Sequence, residues 1–291
     1  MRRLLVASML VPAVLAATVP APLTPNASQL PGVAGSVKFA VIGDNGNGSR
    51  EQAEVGHELA TARSSFPFEF VIMLGDNMYG SQTAADFVAK FERPYAELLQ
   101  AGVPFHAALG NHDDPANRDY PGFNMGGQRF YSFARKHVRF IVLDSNEMDR
   151  AQLTWLQQTL RYAADDWRIV YFHHPLYSNA RRHGSNVELR VILEPILVEH
   201  GVQVVFTGHE HIYERHRPQK GITHFIERSS GQLRKGNVTP GATTAAYFDQ
   251  DQTFMLVEIA GDELFFRTMS RTGQTVDQGV ISRRPVGASR D

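Results

Sequence analysis

An α/β fold is predicted by three features of this 291-residue chain. Short apolar runs rich in Val, Ile and Phe each end in a polar, glycine-bearing loop. Helix-like segments separate them. After residue 222 the alternation gives way to a meander of strand-like runs. In order, VKFAVIG (37–43) runs into DNGNGS, FEFVIMLG (68–75) into DNMYG, and VPFHAALG (103–110) into NHDDP. WRIVYF (167–172) then runs into HHPLYS, and VQVVFTG (202–208) into HEHIYER. Helices are expected at about 51–63, 83–100, 149–163 and 187–200, the last with apolar positions at Val187, Val191, Ile192 and Ile196. The closing meander comprises GITHFIE, TFMLVEIA, ELFFRTMS and QGVIS.

The composition excludes several classes. Lysine plus arginine (29) balances aspartate plus glutamate (30), so there is no basic surplus of the kind nucleic-acid binders carry. With no cysteine, disulfides and thiolate metal sites are absent, and any metal must be held by His, Asp, Glu, Asn or Tyr.

The first residues, MRRLLVASMLVPAVLAATVPA, place two arginines before an apolar stretch and small residues after it. That order is expected of an export signal covering 1–21, cleaved near Ala21. The apolar run is shorter than the ~20 residues a spanning helix needs and contains Pro12, so no stable membrane anchor is expected. Residues 22–36 are expected as a flexible linker, 37–283 as the domain and 284–291 as a frayed tail. The sequence sets no oligomeric state.

Singly, the polar loops have ordinary explanations. Asp44 and Asp76 could cap helices, and Asn111-His112-Asp113 could form an Asx turn. His173-His174 could be a half-buried pair, Tyr79 could merely pack its ring, and His209-x-His211 could be chance. Jointly they form an order that such explanations do not predict: Asp, Asp-x-x-Tyr, Asn-His, His, His-x-His, each at a strand end. In open α/β sheets, functional groups gather in the crevice beyond those carboxyl ends. Carboxylate, amide oxygen and imidazole suit hard and borderline cations. One carboxylate can bridge two metals ~3.5–4 Å apart, a spacing that clamps phosphate and activates water. His209 and His211 are expected to share one face of extended chain.

GDNGNG, GDNMYG, GNHD, YFHHP and GHEHIYER resemble the five motifs of the calcineurin-like metallophosphoesterase superfamily. The Asp76-x-x-Tyr79 form looks like purple acid phosphatases of the small, tartrate-resistant layout, without the extra N-terminal β-domain of the large plant enzymes. The likeness covers roughly residues 37–270. It implies a four-layer α-β-β-α sandwich of two mixed sheets flanked by helices, with the metal site at strand carboxyl ends. It also implies one metal on Asp44, Asp76, Tyr79 and His211, and a second on Asp76, Asn111, His173 and His209. In the family these are Fe(III) with Fe(II), Zn(II) or Mn(II), and a tyrosinate–iron band colours the protein. His112 would face the substrate and protonate the leaving oxygen, with Asp113 orienting its ring. The implied reaction is in-line hydrolysis of phosphate monoesters, on phosphorylated small molecules, by a metal-bound hydroxide.

His183, in a short HG match, and His174 are further candidates for substrate contact. Arg181 and Arg182 are expected as solvated loop charges, and the arginines of ERSSGQLRKG (227–236) as modifiers of substrate preference. Tyr213, Glu214 and Arg215 are expected to brace the last motif. A phosphodiesterase or nucleotide hydrolase on the same site is the alternative. A degenerate phosphate-binding protein is a further one, weakened because every ligand of the pattern is present.

Overall fold

A computed structural model describes residues 30–163, 167–227 and 229–283. The expected signal, the start of the linker and the tail lie outside the described residues. The linker's end does not hang free. The backbone N–H groups of Gly32 and Val33 donate to the Glu258 carboxylate at 2.7 and 2.6 Å, and Ser36 Oγ donates to it at 2.7 Å.

The first strand, β1 (Val37–Ile42), is followed by α1 (Arg50–Ser65), whose N-cap Ser49 accepts from the Gln52 N–H. After β2 (Phe70–Met73), the single helix expected over 83–100 is broken into two short pieces. A Thr83–Asp86 capping box starts α2 (Ala84–Phe87), a π turn follows over Val88–Glu92, and α3 (Ala96–Gln100) resumes beyond Pro94. Pro94 cannot donate a helical hydrogen bond, which ends the first piece. Its carbonyl lies where a Cβ on Gly56 would be only 2.0 Å away, so α1 packs closely on this break.

Next come β3 (Phe105–Ala107) and a hairpin that is not among the expected strands, β4 (Tyr131–Arg135) and β5 (Val138–Val142). The remaining α/β units are α4 (Arg150–Tyr162), β6 (Trp167–Tyr171), α5 (Val187–Glu199) and β7 (Val204–Thr207). The expected C-terminal meander is divided between two sheets. Strands β8 (Tyr213–His216), β9 (Thr223–Glu227) and β10 (Thr244–Phe248) complete one, whereas β11 (Thr253–Ala260), β12 (Glu263–Ser270) and β13 (Thr275–Ser282) complete the other.

The six-stranded sheet has the order β13-β12-β11-β1-β2-β3, and the seven-stranded sheet has β10-β8-β9-β7-β6-β5-β4. Both are mixed. In the first, β1, β2 and β3 run parallel, while β11 returns antiparallel beside β1. In the second, β5, β6, β7 and β9 run parallel. Three apolar clusters hold the layers. Phe39, Phe70, Phe140, Phe206 and Phe225 pack between the sheets. Val55, Leu59 and Phe91 cover the outside of the first sheet, and Leu156, Leu160, Leu193 and Leu197 cover the second. The result is the expected α-β-β-α sandwich, with central strands buried on both faces, as parallel sheets require.

Candidate metal centre

The parallel strands end together, so their following loops meet. The Asp44 N–H donates to the Gly75 carbonyl at 3.0 Å, the Ala108 N–H to Met73 O at 2.8 Å, and the Gly208 N–H to His173 O at 2.8 Å. These loops, after β1, β2, β3, β6 and β7, carry all seven candidate ligands.

Their donor atoms fall into two groups. Tyr79 Oη lies 2.7 Å from Asp44 Oδ1, 2.9 Å from Asp76 Oδ2 and 3.2 Å from His211 Nε2. Asn111 Oδ1 lies 3.0 Å from both His173 Nε2 and His209 Nδ1, and those two nitrogens are 3.3 Å apart. Asp76 joins the groups. Its Oδ2 faces Tyr79, while its Oδ1 lies 3.4 Å from His173 Nε2 and accepts the His112 N–H at 2.9 Å.

Backbone conformation makes this convergence possible. Asp44, Asp76, His209 and His211 have φ of 52°, 51°, 78° and 54°, in the left-handed region that side-chain-bearing residues rarely adopt. The extended-chain expectation for His209 and His211 is therefore corrected. They lie in the loop beyond β7, and two left-handed residues aim their rings at different groups. Glycines supply the room. A Cβ on Gly110 would lie 2.3 Å from Asp76 Oδ1, one on Gly75 2.6 Å from His173 Nδ1, and one on Gly208 2.8 Å from Asp44 Oδ2.

The donor set fits a pair of cations. One phenol proton faces two carboxylate oxygens and an imidazole nitrogen, and two ring nitrogens crowd one amide oxygen. Lone pairs directed at a common point repel unless a cation receives them. The His173 ring is also fixed for that purpose, because its Nδ1 lies 2.9 Å from the Leu74 carbonyl, which makes Nδ1 the donor and turns the Nε2 lone pair inward.

Residues 37–213 match the family profile described as calcineurin-like phosphoesterase, which is more than half of the chain. The chain belongs to this family. It is a metal-dependent phosphoric ester hydrolase. Tartrate-resistant acid phosphatase type 5 of Rattus norvegicus is 24% identical over 304 residues, covering 87% of this chain and 92% of the relative. Purple acid phosphatase 7 of Arabidopsis thaliana is 27% identical over 292 residues, covering 86% and 87%. Among solved structures, the yellow lupin purple acid phosphatase PPD1 superposes with a TM-score of 0.70 at 19% identity, covering 88% of this chain and 55% of that one. GAP50, the anchor in the inner membrane complex of Plasmodium, superposes with a TM-score of 0.75 at 18% identity, covering 87% and 90%.

Around the phosphoesterase's two donor groups stand the other expected residues. His112 is exposed, its ring 4.8 Å from that of Tyr79. Asp113 does not orient it, contrary to the expectation. Its carboxyl points inward and accepts from Asn77 Nδ2, the Met78 N–H and the Gly110 N–H at 2.9, 2.9 and 2.8 Å. Burial, and then the nearby Asp76, push the Asp113 carboxyl up to about 7. What braces His112 is Gln82, which the motifs did not single out. Its Nε2 donates to His112 O at 2.7 Å, and its Oε1 accepts the Asp114 N–H at 2.9 Å. Gln82 lies six residues beyond Asp76 in the same loop after β2, at a position no spacing rule exposes.

On the opposite side, His174 and His183 both meet the His209 ring, at 4.5 and 4.4 Å between ring centres. Ser145, also unsignalled in the sequence, lies 2.9 Å from His174 Nδ1. Arg181 is tied to Thr239 Oγ1 at 2.7 Å. Behind the last motif, Glu214 accepts from Asn179 and Thr244, and Tyr213 and Arg215 both bond Asp277. No described helix is long and apolar enough to cross a membrane.

Proposed function

We propose that this protein is an exported phosphatase that binds two metal ions and hydrolyses phosphate monoesters. The observation that carries the proposal is the division of Asp76, whose two oxygens face two different donor groups. One ion would be held by Asp44, Asp76, Tyr79 and His211, and the other by Asp76, Asn111, His173 and His209. Ferric iron suits the half containing a phenol, and iron, zinc or manganese suits the other. Bound there, the pair would polarise the phosphoryl oxygens and acidify a water molecule.

The chain's own residues do the rest. Asp76 spaces the two halves. Gly75, Gly110 and Gly208 let the ligands approach, and the Leu74 carbonyl sets the His173 tautomer. His112, exposed and with its carbonyl held by Gln82, would deliver a ring proton to the leaving oxygen. Asp113, spent on three inward bonds, takes no part in that transfer.

Export rests on the composition of residues 1–21. The fold by itself does not choose a chemistry, since GAP50 shares it and is described as an anchor. The seven donors favour catalysis. Purified protein should hold transition metal, and iron plus zinc should support hydrolysis of an aryl monophosphate well above that of its bis-aryl diester. Faster diester cleavage would move the protein to the diesterase alternative. Absence of both metal binding and activity would remove the enzyme reading altogether.

A further inference from the structure

The open half of the metal centre has one imidazole more beside it than its four donors. Consecutive side chains of an extended strand point to opposite faces. Yet the rings of His173 and His174, just beyond β6, both meet that of His209, with ring centres 5.2 and 4.5 Å from it. They stand 5.0 Å from each other, their planes 86° apart. The chain turns between them. The His173 carbonyl still accepts the Gly208 N–H at 2.8 Å, whereas the His174 N–H donates sideways to Ser145 Oγ at 3.0 Å.

These rings have the spacing of imidazoles gathered on one ion. Metal–nitrogen bonds of about 2.0–2.1 Å, at angles between octahedral and tetrahedral, hold ring centres roughly 4.5–5.2 Å apart. The three distances above fall in that range. One ring nitrogen from each of His173, His174 and His209 lies within 4.8 Å of the other two. Ser145 Oγ also lies 2.9 Å from His174 Nδ1. A hydroxyl oxygen can accept both the backbone and the ring proton, which leaves Nε2 as the ligating atom of His174. The Leu74 carbonyl selects the same tautomer for His173.

His183 makes a contrast. Its ring centre is 4.4 Å from that of His209, as near as that of His174. Its Nε2, however, is 3.2 Å from Arg234 Nη1. A guanidinium only donates, so this nitrogen spends its lone pair on the arginine and faces a positive charge. His183 is not among the three converging imidazoles.

We propose that His174 is a third imidazole ligand of the open-side ion, and that it makes this half select zinc over manganese. The proposal rests on the two-metal reading above and adds a ligand that the family likeness does not imply. Three imidazoles with Asn111 and Asp76 form a softer set than the two carboxylates, phenol and single imidazole of the other half. Imidazole suits zinc and iron, whereas manganese prefers oxygen.

The test uses the full chain with iron in the closed half. Wild type, His174→Ala and His183→Ala are each titrated with zinc and with manganese by calorimetry. His174→Ala should weaken zinc at least about tenfold and manganese by less, since losing even an outer partner of a ligand costs roughly 10–100-fold. His183→Ala should weaken zinc less than His174→Ala does. X-ray absorption at the zinc edge of the unmutated protein is a reading that no folding defect can affect, and three imidazole rings are expected there. Two rings at the zinc, or equal losses of zinc and manganese in His174→Ala, would overturn the proposal. The two-metal phosphatase would survive that result if both ions still bind and an aryl monophosphate is hydrolysed. A wild type that binds no second ion would sink both readings. If three rings are counted and nothing is hydrolysed, the ligand assignment stands and the catalytic function falls.

Discussion

The two halves of the metal centre differ in access. Apart from the shared Asp76, the tyrosine side has Asp44 fully buried, His211 nearly so and Tyr79 half-buried. On the other side His173 is buried, but Asn111 is exposed and His209 partly so, and the cavity of His174 and His183 opens beside them. A closed half suits a cation that stays, and an open half suits one that exchanges and meets substrate. His112 and His183 stand exposed on opposite sides of the two groups, His112 beside Tyr79 and His183 beside His209, while Asp113 is turned inward.

The largest test of this contrast removes what the halves share. Asp76→Asn should empty both, with activity falling by more than about 10³-fold, because losing even an outer-shell partner typically costs 10–100-fold. Metal content retained at two ions per chain would end the bridging role. Gly110→Ala should approach the same result without altering a ligand, since its Cβ would lie 2.3 Å from Asp76 Oδ1. A loss of about 10–100-fold in metal affinity is expected.

The halves should then separate. Asn111→Ala should make the open-side ion dialysable while the iron colour persists. Tyr79→Phe should abolish the colour and leave the open-side ion bound. If chelation removed the closed-side ion first from wild type, the difference in access would not govern exchange.

The smallest effect lies outside the site and shows what burial does to imidazole. His224 and His106 are buried on strands, and burial lowers them to about 3 and 4. Both are neutral in the fold but protonate in the unfolded chain below about 6.5. Their contribution is therefore complete above pH 6.5 and is lost as pH falls toward 4 and 3, by at most about 1.4 kcal/mol per pH unit per group. Glu227 works in the opposite direction. Burial raises it to about 8 in the fold, so stability declines as pH rises from its unfolded value near 4.5. His224→Phe should flatten the acid limb of a denaturation series, because among the described residues neither His224 nitrogen has a hydrogen-bond partner and its ring packs on Tyr177. An unchanged limb would clear His224 of that role.

Much of this was legible in the chain. The strand-end positions of Asp44, Asp76, Asn111, His173 and His209 follow from local apolar runs, which a linear reading sees. The sequence by itself also determined the chemistry available: with no cysteine and balanced charge, only oxygen and imidazole could hold a metal. Other features were decided by tertiary structure. The helix expected over 83–100 is broken instead, because the π turn and the packing of Pro94 on Gly56 depend on two elements meeting. The meander's division between sheets depends on which edge each strand reaches, and alternation along one strand carries no such information. The left-handed φ values of His209 and His211, the inward turn of Asp113 and the support from Gln82, Ser145 and Arg234 all arise from contacts distant in sequence. Residue type sets which atoms a loop can offer. Where those atoms point is set by the loops packed against it.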